Sequence, residues 1–378
     1  MQSQMFWVTL AWSSISPYLY WLCFLTINSE GEAYMKETKT KYGKMKQIIS
    51  NLKLPDYRYE QLIKAIFHQG IDNFDDMHIL PKALRIALVN EFGNNVSSVI
   101  PVFSQDSKQA QKLLFELTDG ERIEAIGLKY KQGWESFCIS SQCGCGFGCR
   151  FCATGSAGFK RNLTADEITD QLLYFYFNDH RLNSISFMGM GEAFANPELF
   201  DAVKILTDEN LFGLSQRRIT ISTIGIIPGI QRLTKEFPQV NLAFSLHSPF
   251  ESQRSDLMPI NKRFPLNEVM KTLDEHIIHT GRRVFIAYIM LEGINDSKEH
   301  AEAIIGLLKN RGSWEHLYHI DLIPYNSTDK TTFKFQSSSV IKEFCSTLKK
   351  AGIRVTVRTQ FGSEISAACG QLCYENEL

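Results

Sequence analysis

Cys145-Gly146-Phe147-Gly148-Cys149-Arg150-Phe151-Cys152 places three cysteines within eight residues, three and then two residues apart. The stretch reads as a loop, because two glycines lie inside it and an apolar, strand-like run precedes it. Thiolates are soft ligands that suit zinc or iron–sulfur clusters. Structural zinc takes four ligands, usually as two pairs far apart in sequence. No second Cys-x-x-Cys or His-x-x-x-His pair follows here. Three thiolates on a four-iron cluster leave one iron open to another ligand. The competing reading is a zinc knot completed by Cys143 or Cys138; one residue between Cys143 and Cys145 is awkward for a tetrahedral site.

Outward from that loop the chain alternates strand and helix. Thr164 and Glu167 make a capping box for a helix to about Phe177. Apolar runs at Ile185–Met188, Ile219–Ser222, Leu242–Leu246, Val284–Met290, Tyr318–Ile323 and Val355–Val357 read as buried strands. Amphipathic helices are expected over 266–279, 297–310 and 338–350. Repeated βα units imply an α/β fold with a parallel sheet, open or curled into a barrel. Ligands then belong at the C-terminal ends of the strands.

Those ends carry polar, glycine-flanked tips. Met188-Gly189-Met190-Gly191-Glu192 follows one strand, Ser222-Thr223-Ile224-Gly225 the next, and Ser245-Leu246-His247-Ser248 the one after; Ile323-Pro324-Tyr325-Asn326 closes a later one. Gly-x-Gly-Glu alone is usually a turn, and a lone strand-end histidine is more often structural than catalytic. Their recurrence on the rim that must also hold the cysteine loop is the informative fact. Near the C-terminus, Cys369 stands between small residues (Ala367-Ala368-Cys369-Gly370), which leave its sulfur approachable. The default for a free cysteine is a small buried hydrophobe, and Cys23, Cys345 and Cys373 keep that reading.

Upstream, 112–141 alternates through KLLFELT, RIEAIGLKY and WESFCISS, the pattern of short antiparallel strands. Residues 36–95 read as a small helical module. Pro55-Asp56-Tyr57 opens one helix, through Gln61–Phe67 to Gly70, and a second follows Pro81 to Phe92. The run 36–53 carries Lys36, Lys39, Lys41, Lys44, Lys46 and Lys53 against Glu37 alone, by default a solvated helix face. Residues 5–27 are apolar and uncharged, long enough for a membrane span, yet Pro17 and several serines interrupt them and no basic residue precedes them. The expectation is that translation starts at Met35, where the soluble-protein pattern begins. The organisation expected is therefore a 1–34 extension, a helical domain over 35–105, a β extension over 106–136, and a barrel over 137–378.

Composition sets the bounds. With 378 residues, 44% hydrophobic and 21% charged, the chain is an ordinary globular protein of one large domain with appendages, or two. Five of nine cysteines fall between 138 and 152, which is no spread disulfide framework and points to a reducing, cytoplasmic compartment. A net charge of −1 gives no global sign of nucleic-acid binding, so any such role rests on local patches.

From about Met35 to Leu372 the chain resembles the RNA adenosine methyltransferases of the radical S-adenosylmethionine (SAM) superfamily, the RlmN/Cfr family, and within it the Cfr branch. The motifs are the cysteine loop followed by Ala153-Thr154-Gly155, then FMGMGEAFAN, ISTIGIIP, FSLHSP, LMPIN and AACGQL. The resemblance implies a partial (βα)6 barrel with a small N-terminal helical domain and a short β extension. It implies that Cys145, Cys149 and Cys152 hold a [4Fe–4S] cluster. Gly191, Glu192, Ser222, Ser245, Leu246, His247 and Asn326 would form the SAM pocket. Cys369 would carry the methyl group, Cys138 would be its redox partner, and Glu124 the proton acceptor. Two SAM are implied per turnover: one methylates Cys369, and the other is cleaved reductively to a radical that activates that methyl group for addition to adenine. Ring deprotonation and a Cys369–Cys138 disulfide release the product, and an external reductant restores the thiols. The base must be unstacked to reach a buried cluster, and the 36–53 run becomes an RNA-docking surface.

The implied partners are large-subunit rRNA, with tRNA as a further substrate, and an electron donor such as flavodoxin or ferredoxin; no stable membrane partner is expected. The implied product is methylation at carbon 8 of an adenosine in the peptidyl-transferase centre, which confers resistance to ribosome-targeting antibiotics. Ala193, Cys143 and Arg358-Thr359-Gln360-Phe361 favour this over the carbon-2 housekeeping branch, where Pro, an apolar residue and an Arg-x-x-Arg-Gly pattern are usual. Ser366 departs from the Asp usual in both branches. The alternatives are a carbon-2 methyltransferase and a non-catalytic zinc RNA-binding protein.

Overall fold

A computed structural model describes residues 39–309, 311–326, 331–359, 361, 362, 365, 371 and 372. The apolar N-terminal stretch, Ser366 and Cys369 lie outside the described residues. The chain divides into two compact units, Met1–Tyr59 and Glu60–Leu378.

In the first unit, a helix spans Lys41–Asn51, and the Thr40 side chain caps it by accepting from the Gly43 N–H at 3.3 Å. The lysine run is not a uniformly solvated face, as expected by default. Lys41 is only 4% exposed, on the same buried side as Met45 and Ile49, with its ammonium 5.3 Å from the Tyr42 ring centroid. A four-carbon stem buries readily while the cation finds an aromatic face. Lys44 and Lys46 stay exposed. Further on, helices occupy Tyr57–Phe67 and Lys82–Phe92, as the proline signals predict.

Ten strands form one sheet among the described residues. Its first part is an antiparallel meander of β1 (Ile100–Asp106), β2 (Ala110–Glu116), β3 (Arg122–Lys129) and β4 (Glu135–Cys138). Sequence alternation marks β2 to β4. It missed β1, because an edge strand with both faces exposed carries no clean alternation. From β4 the pairing turns parallel, through β7 (Ser184–Phe187), β8 (Ile219–Thr223), β9 (Asn241–Ser245), β10 (Val284–Met290), β11 (Tyr318–Pro324) and β12 (Arg354–Val357). β4 and β7 to β11 are each followed by helix, the (βα)6 arrangement. β1 and β12 stand at the two ends of the order, so the barrel is partial.

Near-continuous apolar runs suit strands covered on both faces. Ile219, Ile221, Leu242, Phe244, Val284, Ile286, Ile320 and Leu322 are all buried to 0%. The capping box forms reciprocally: Glu167 N–H donates to Thr164 Oγ1 at 3.1 Å, and Thr164 N–H to Glu167 Oε2 at 2.9 Å. That helix, Ala165–Phe177, packs Phe175 at a tilt against Phe137 of β4 with centroids 4.6 Å apart. No helix of the described residues is long and apolar enough to cross a membrane.

Candidate active site

The cysteine loop is clamped by a hairpin that sequence reasoning missed. Its strands, β5 (Gln142–Gly144) and β6 (Phe159–Asn162), are only three and four residues long, too short for a periodic signal. Cys145 N–H donates to the Gly158 carbonyl at 2.8 Å. Gly144 has φ 75°, and a Cβ there would lie 1.9 Å from that same oxygen, so only glycine fits. Farther round the loop, Cys152 N–H returns to the Cys149 carbonyl and Arg150 N–H reaches the Leu257 carbonyl, both at 3.1 Å. Cys149 and Cys152 pack against an apolar cluster that includes Phe151, Met258, Ile289, Ile323 and Tyr325, at the C-terminal ends of β10 and β11.

The three expected ligands lie together. The charges acting on Cys149 are those of Cys152, Cys145, Glu192 and Arg254. Burial pushes the Cys145 thiol up to about 11, opposed by the backbone N–H groups of Phe147 and Glu192 aimed at its sulfur. Burial raises Cys149 well above the ordinary thiol value. A donor set of this kind becomes thiolate when a metal supplies the compensating charge. Cys143 does not belong to it. Its thiol, pushed up to about 12 by burial, is surrounded by Arg161, Glu167, Glu121 and Asp119 instead. The positive φ of Gly144 breaks the alternation that would otherwise put Cys143 and Cys145 on one face. Among the described residues no three His, Cys, Asp or Glu side chains converge as a single-ion site. Three thiolates around a four-iron cluster fit this loop, with Cys143 apart from them.

Glu192 is the carboxylate of the site. It is 4% exposed, and burial pushes its carboxyl up to about 7 against hydrogen bonds from Thr223 and from the backbone N–H groups of Ile224 (2.9 Å) and Phe194 (3.3 Å). Its own N–H donates to Gln142 Oε1 at 2.9 Å, and Gly191, at φ 97°, leaves no room for a Cβ beside the Gln142 side chain. A buried carboxylate beside the loop suits the cationic amine of an amino-acid ligand.

His247 has φ 55°, sparsely populated for a non-glycine residue. Its Nδ1 accepts from the Ile289 N–H at 3.0 Å, so the proton sits on Nε2. Its ring meets Phe151 edge-on at 4.8 Å, and burial with the nearby Arg254 charge holds its pKa down to about 3. Leu246 is fully buried, Asn326 is 6% exposed, and Ser222 and Ser245 are half-buried near the ends of β8 and β9.

Glu124, on β3, is 3% exposed and paired with Lys112 on β2 at 2.6 Å. Ser140 Oγ donates to the Glu124 carbonyl at 2.6 Å and accepts from the Met190 N–H at 2.8 Å, tying the strand to the Gly-Met-Gly-Glu turn. Cys138 is half-buried at the end of β4, directly across from Ile126. Leu372, three residues beyond Cys369 in sequence, has its carbonyl bonded by Thr154 Oγ1 of the cysteine-loop segment.

Arg254 is the residue the sequence reading passed over. It is fully buried, and its guanidinium donates to the carbonyls of Ile224 (2.8 Å), Ser245 (3.0 Å) and Leu246 (3.1 Å) and to Asn261 Oδ1 (2.5 Å). It thus locks the ends of β8 and β9 to the LMPIN turn. Its signal was an arginine three residues before Leu257 on the buried side of the helix Glu251–Leu257.

A parallel sheet whose strand ends gather three cysteines and one buried carboxylate defines the radical SAM class. Accordingly, residues 139–306 match the Radical SAM superfamily and residues 39–92 the ribosomal RNA large subunit methyltransferase N-terminal domain. A radical SAM methyltransferase from Sphaerobacter thermophilus superposes with a TM-score of 0.83 at 36% identity, covering 88% of this chain and 97% of that one. Ribosomal RNA large subunit methyltransferase Cfr of Clostridium botulinum (strain Okra) is 94% identical over 344 residues, 91% of this chain and 100% of its own. The Staphylococcus aureus protein of the same name is 56% identical, covering 88% and 96%. The chain belongs to the Cfr family of radical SAM enzymes.

Proposed function

We propose that the chain methylates carbon 8 of an adenosine in the peptidyl-transferase centre of large-subunit rRNA, through an S-methylcysteine on Cys369, and so confers resistance to ribosome-targeting antibiotics. The observation that carries the reading is the grouping of Cys145, Cys149, Cys152 and buried Glu192 at the strand ends, in a chain 94% identical to a Cfr methyltransferase across that protein's whole length. A reduced [4Fe–4S] cluster with SAM, two SAM per turnover, supplies the one-electron chemistry that an unactivated aromatic C–H requires.

The remaining roles fall to the chain itself. Cys145, Cys149 and Cys152 hold the cluster. Gly191, Glu192, Ser222, Ser245, Leu246, His247 and Asn326 shape the SAM pocket. Glu192 receives the amine of SAM, and the fixed tautomer of His247 offers an Nε2–H donor on the same rim. Cys369 takes the methyl group as a thiolate nucleophile. The Thr154–Leu372 bond ties the neighbouring chain to the cysteine loop, which supports that assignment. Glu124 accepts the proton from the ring carbon. Its partner Lys112 holds the carboxylate in place, Nζ 2.6 Å from Oε1. Cys138 closes a disulfide with Cys369 as product leaves, and an external donor of the flavodoxin or ferredoxin kind returns the two electrons. Residues 35–105 form the RNA-contacting domain, 106–136 the β extension and 137–378 the barrel, at work in the cytoplasm.

The test is mass spectrometry of the peptidyl-transferase rRNA fragment from cells lacking the housekeeping methyltransferase. Expression of the chain should add a methyl group at carbon 8, and expression of Cys369→Ala should add none. Methylation at carbon 2 alone would move the chain to the housekeeping activity, and no added methyl group would remove the rRNA assignment.

A further inference from the structure

At the edge opposite the site, arginines recur where four of the six parallel strands from β7 to β12 begin. Arg181 precedes β7, Arg217 and Arg218 lead into β8, Arg282 and Arg283 into β10, and Arg354 opens β12. Strand register sets them at one level: Ile219 pairs with Ile185, Val284 with Leu242 and Tyr318, and Arg354 itself with His319. Neighbours feel one another's charge, Arg217 at Arg282, and Arg283 with Arg354 at His319. Five of the six are exposed and Arg282 is half-buried. At about 4.8 Å per strand, the row from β7 to β12 runs about 24 Å.

Charge neutralisation does not account for this row. Among the described residues none of the six guanidinium groups pairs with a carboxylate; Arg181 meets Glu135 only through its main-chain N–H. Arg217 donates to Gln239 Oε1, Arg218 to the Asn183 carbonyl, and Arg282 to Asn241 Oδ1, all neutral acceptors. Other carboxylates of this edge are already engaged, Glu135 by Lys129 and His180, Glu236 by Arg232, and Glu315 by Lys309. Asp179, Asp208 and Glu209 also lie here, too few to offset six arginines. A helix dipole explains basic residues in a last helical turn, such as Lys349 and Lys350. The six arginines lie beyond those turns; Arg217 is ten residues past the end of the helix Leu199–Thr207.

A second feature lies on the same edge. Trp134 is 43% exposed, its indole N–H held by Ser184 Oγ at 3.1 Å and its ring 5.4 Å from the Arg218 guanidinium. A fixed aromatic beside a row of unpaired arginines is the equipment of a surface that tracks a phosphate backbone and stacks an unpaired base.

We propose that this arginine row with Trp134 is a second RNA-binding surface, one that holds RNA flanking the target adenosine. The inference rests on the rRNA reading above. Strands of four to seven residues, at about 3.3 Å each, put the row about 20 Å from the cysteine rim. A base docked at the site cannot bring its own phosphate that far, so the surface serves only RNA long enough to pass round the sheet.

That length dependence is the test. The cluster-loaded protein and an Arg217→Gln/Arg218→Gln/Arg283→Gln variant are titrated, across a salt series, with a folded transcript of the peptidyl-transferase domain and with a short stem-loop carrying the target adenosine. For the long transcript the slope of log K against log salt should fall by about 2 to 3, near one per arginine, with Kd at least ~10-fold weaker near 0.15 M salt. The stem-loop should bind as before, and lysines at the three positions should restore the slope. An unchanged slope for the long transcript overturns the surface, as does an equal loss on both RNAs, which would mean damage to the fold or the main site. If the unaltered protein methylates neither RNA, the catalytic reading falls, while the slopes still decide the surface.

Discussion

Arg254 holds the rim of the site from beneath. Its guanidinium satisfies three carbonyls and one amide oxygen where water is excluded, and its charge acts on Cys149. Each buried acceptor left without a donor costs about 1–3 kcal/mol. Arg254→Met fills much of the volume and supplies no hydrogen-bond donor, so a destabilisation on the order of 3 kcal/mol or more is expected. Thermal unfolding should fall by at least about 5 °C, and iron retained after anaerobic reconstitution should fall with it, because the LMPIN turn packs beneath the loop. An unchanged melting temperature would show that the hydrogen bonds are replaceable. Cys143 makes the contrasting prediction at the same scale. It stands apart from the three proposed ligands, so Cys143→Ala should keep the full iron content of the unaltered protein; loss of a ligand's share of iron would return it to the set. Both residues show how far sequence carries at single positions. The three-cysteine group was legible because spacing within a loop is local information. Arg254 was not, because its partners come from the ends of two different strands and from the LMPIN turn.

Among the elements, the β5–β6 hairpin decides whether the cysteine loop has a shape at all. Gly144→Ala forces a Cβ against the Gly158 carbonyl and penalises a positive φ, so the Cys145–Gly158 bond should break and the loop lose its clamp. Gly306→Ala is its mirror. That glycine lies within the helix Lys298–Leu308, exposed, with nothing within 4 Å of an added Cβ. There the methyl group should stabilise by about 0.5–1 kcal/mol, through helix propensity and a less free unfolded chain. Differential scanning calorimetry of the two variants should move in opposite directions, and only Gly144→Ala should lower the iron content. A common direction would mean that local backbone conformation is not what distinguishes the two sites. The parallel strands and their helices were readable in advance because burial on both faces writes long apolar runs. The hairpin was not, since a three-residue strand that exists to carry a loop has no period to read.

The whole molecule brings distant chain segments to one rim, and its pH response should record how much of that rim and core is kept uncharged. Order along the chain foretold the sheet, and glycine-flanked tips marked the rim where the cysteine loop and buried Glu192 lie. Neither could reveal which polar groups would be buried, because that depends on which helix covers which strand. His276 is such a group. It is fully buried on the helix Leu266–Thr280, its Nδ1 2.8 Å from Thr234 Oγ1, whose own proton goes to the Ile230 carbonyl. Thr234 therefore accepts from Nδ1–H, and Nε2 has no protein partner among the described residues. Burial, with Arg282 and His279 nearby, holds its pKa down to about 4. An unfolded histidine titrates near 6.5, so between about pH 6.5 and pH 4 the unfolded chain binds a proton that the folded chain refuses. Stability from this group is complete above pH 6.5 and drains as pH falls through that window, by up to about 1.4 kcal/mol per pH unit. His247, held down to about 3, acts in the same direction, while Glu192, pushed up to about 7, binds its proton first in the folded chain and offsets about one of the two histidines. Urea unfolding at pH 7, 6 and 5 should show the midpoint falling, and His276→Gln, which cannot take up the proton, should give a slope shallower by nearly one proton. Parallel slopes for the two proteins would mean that His276 is protonated inside the fold, and that the Nε2 atom has found an acceptor through rearrangement of the helix against Thr234.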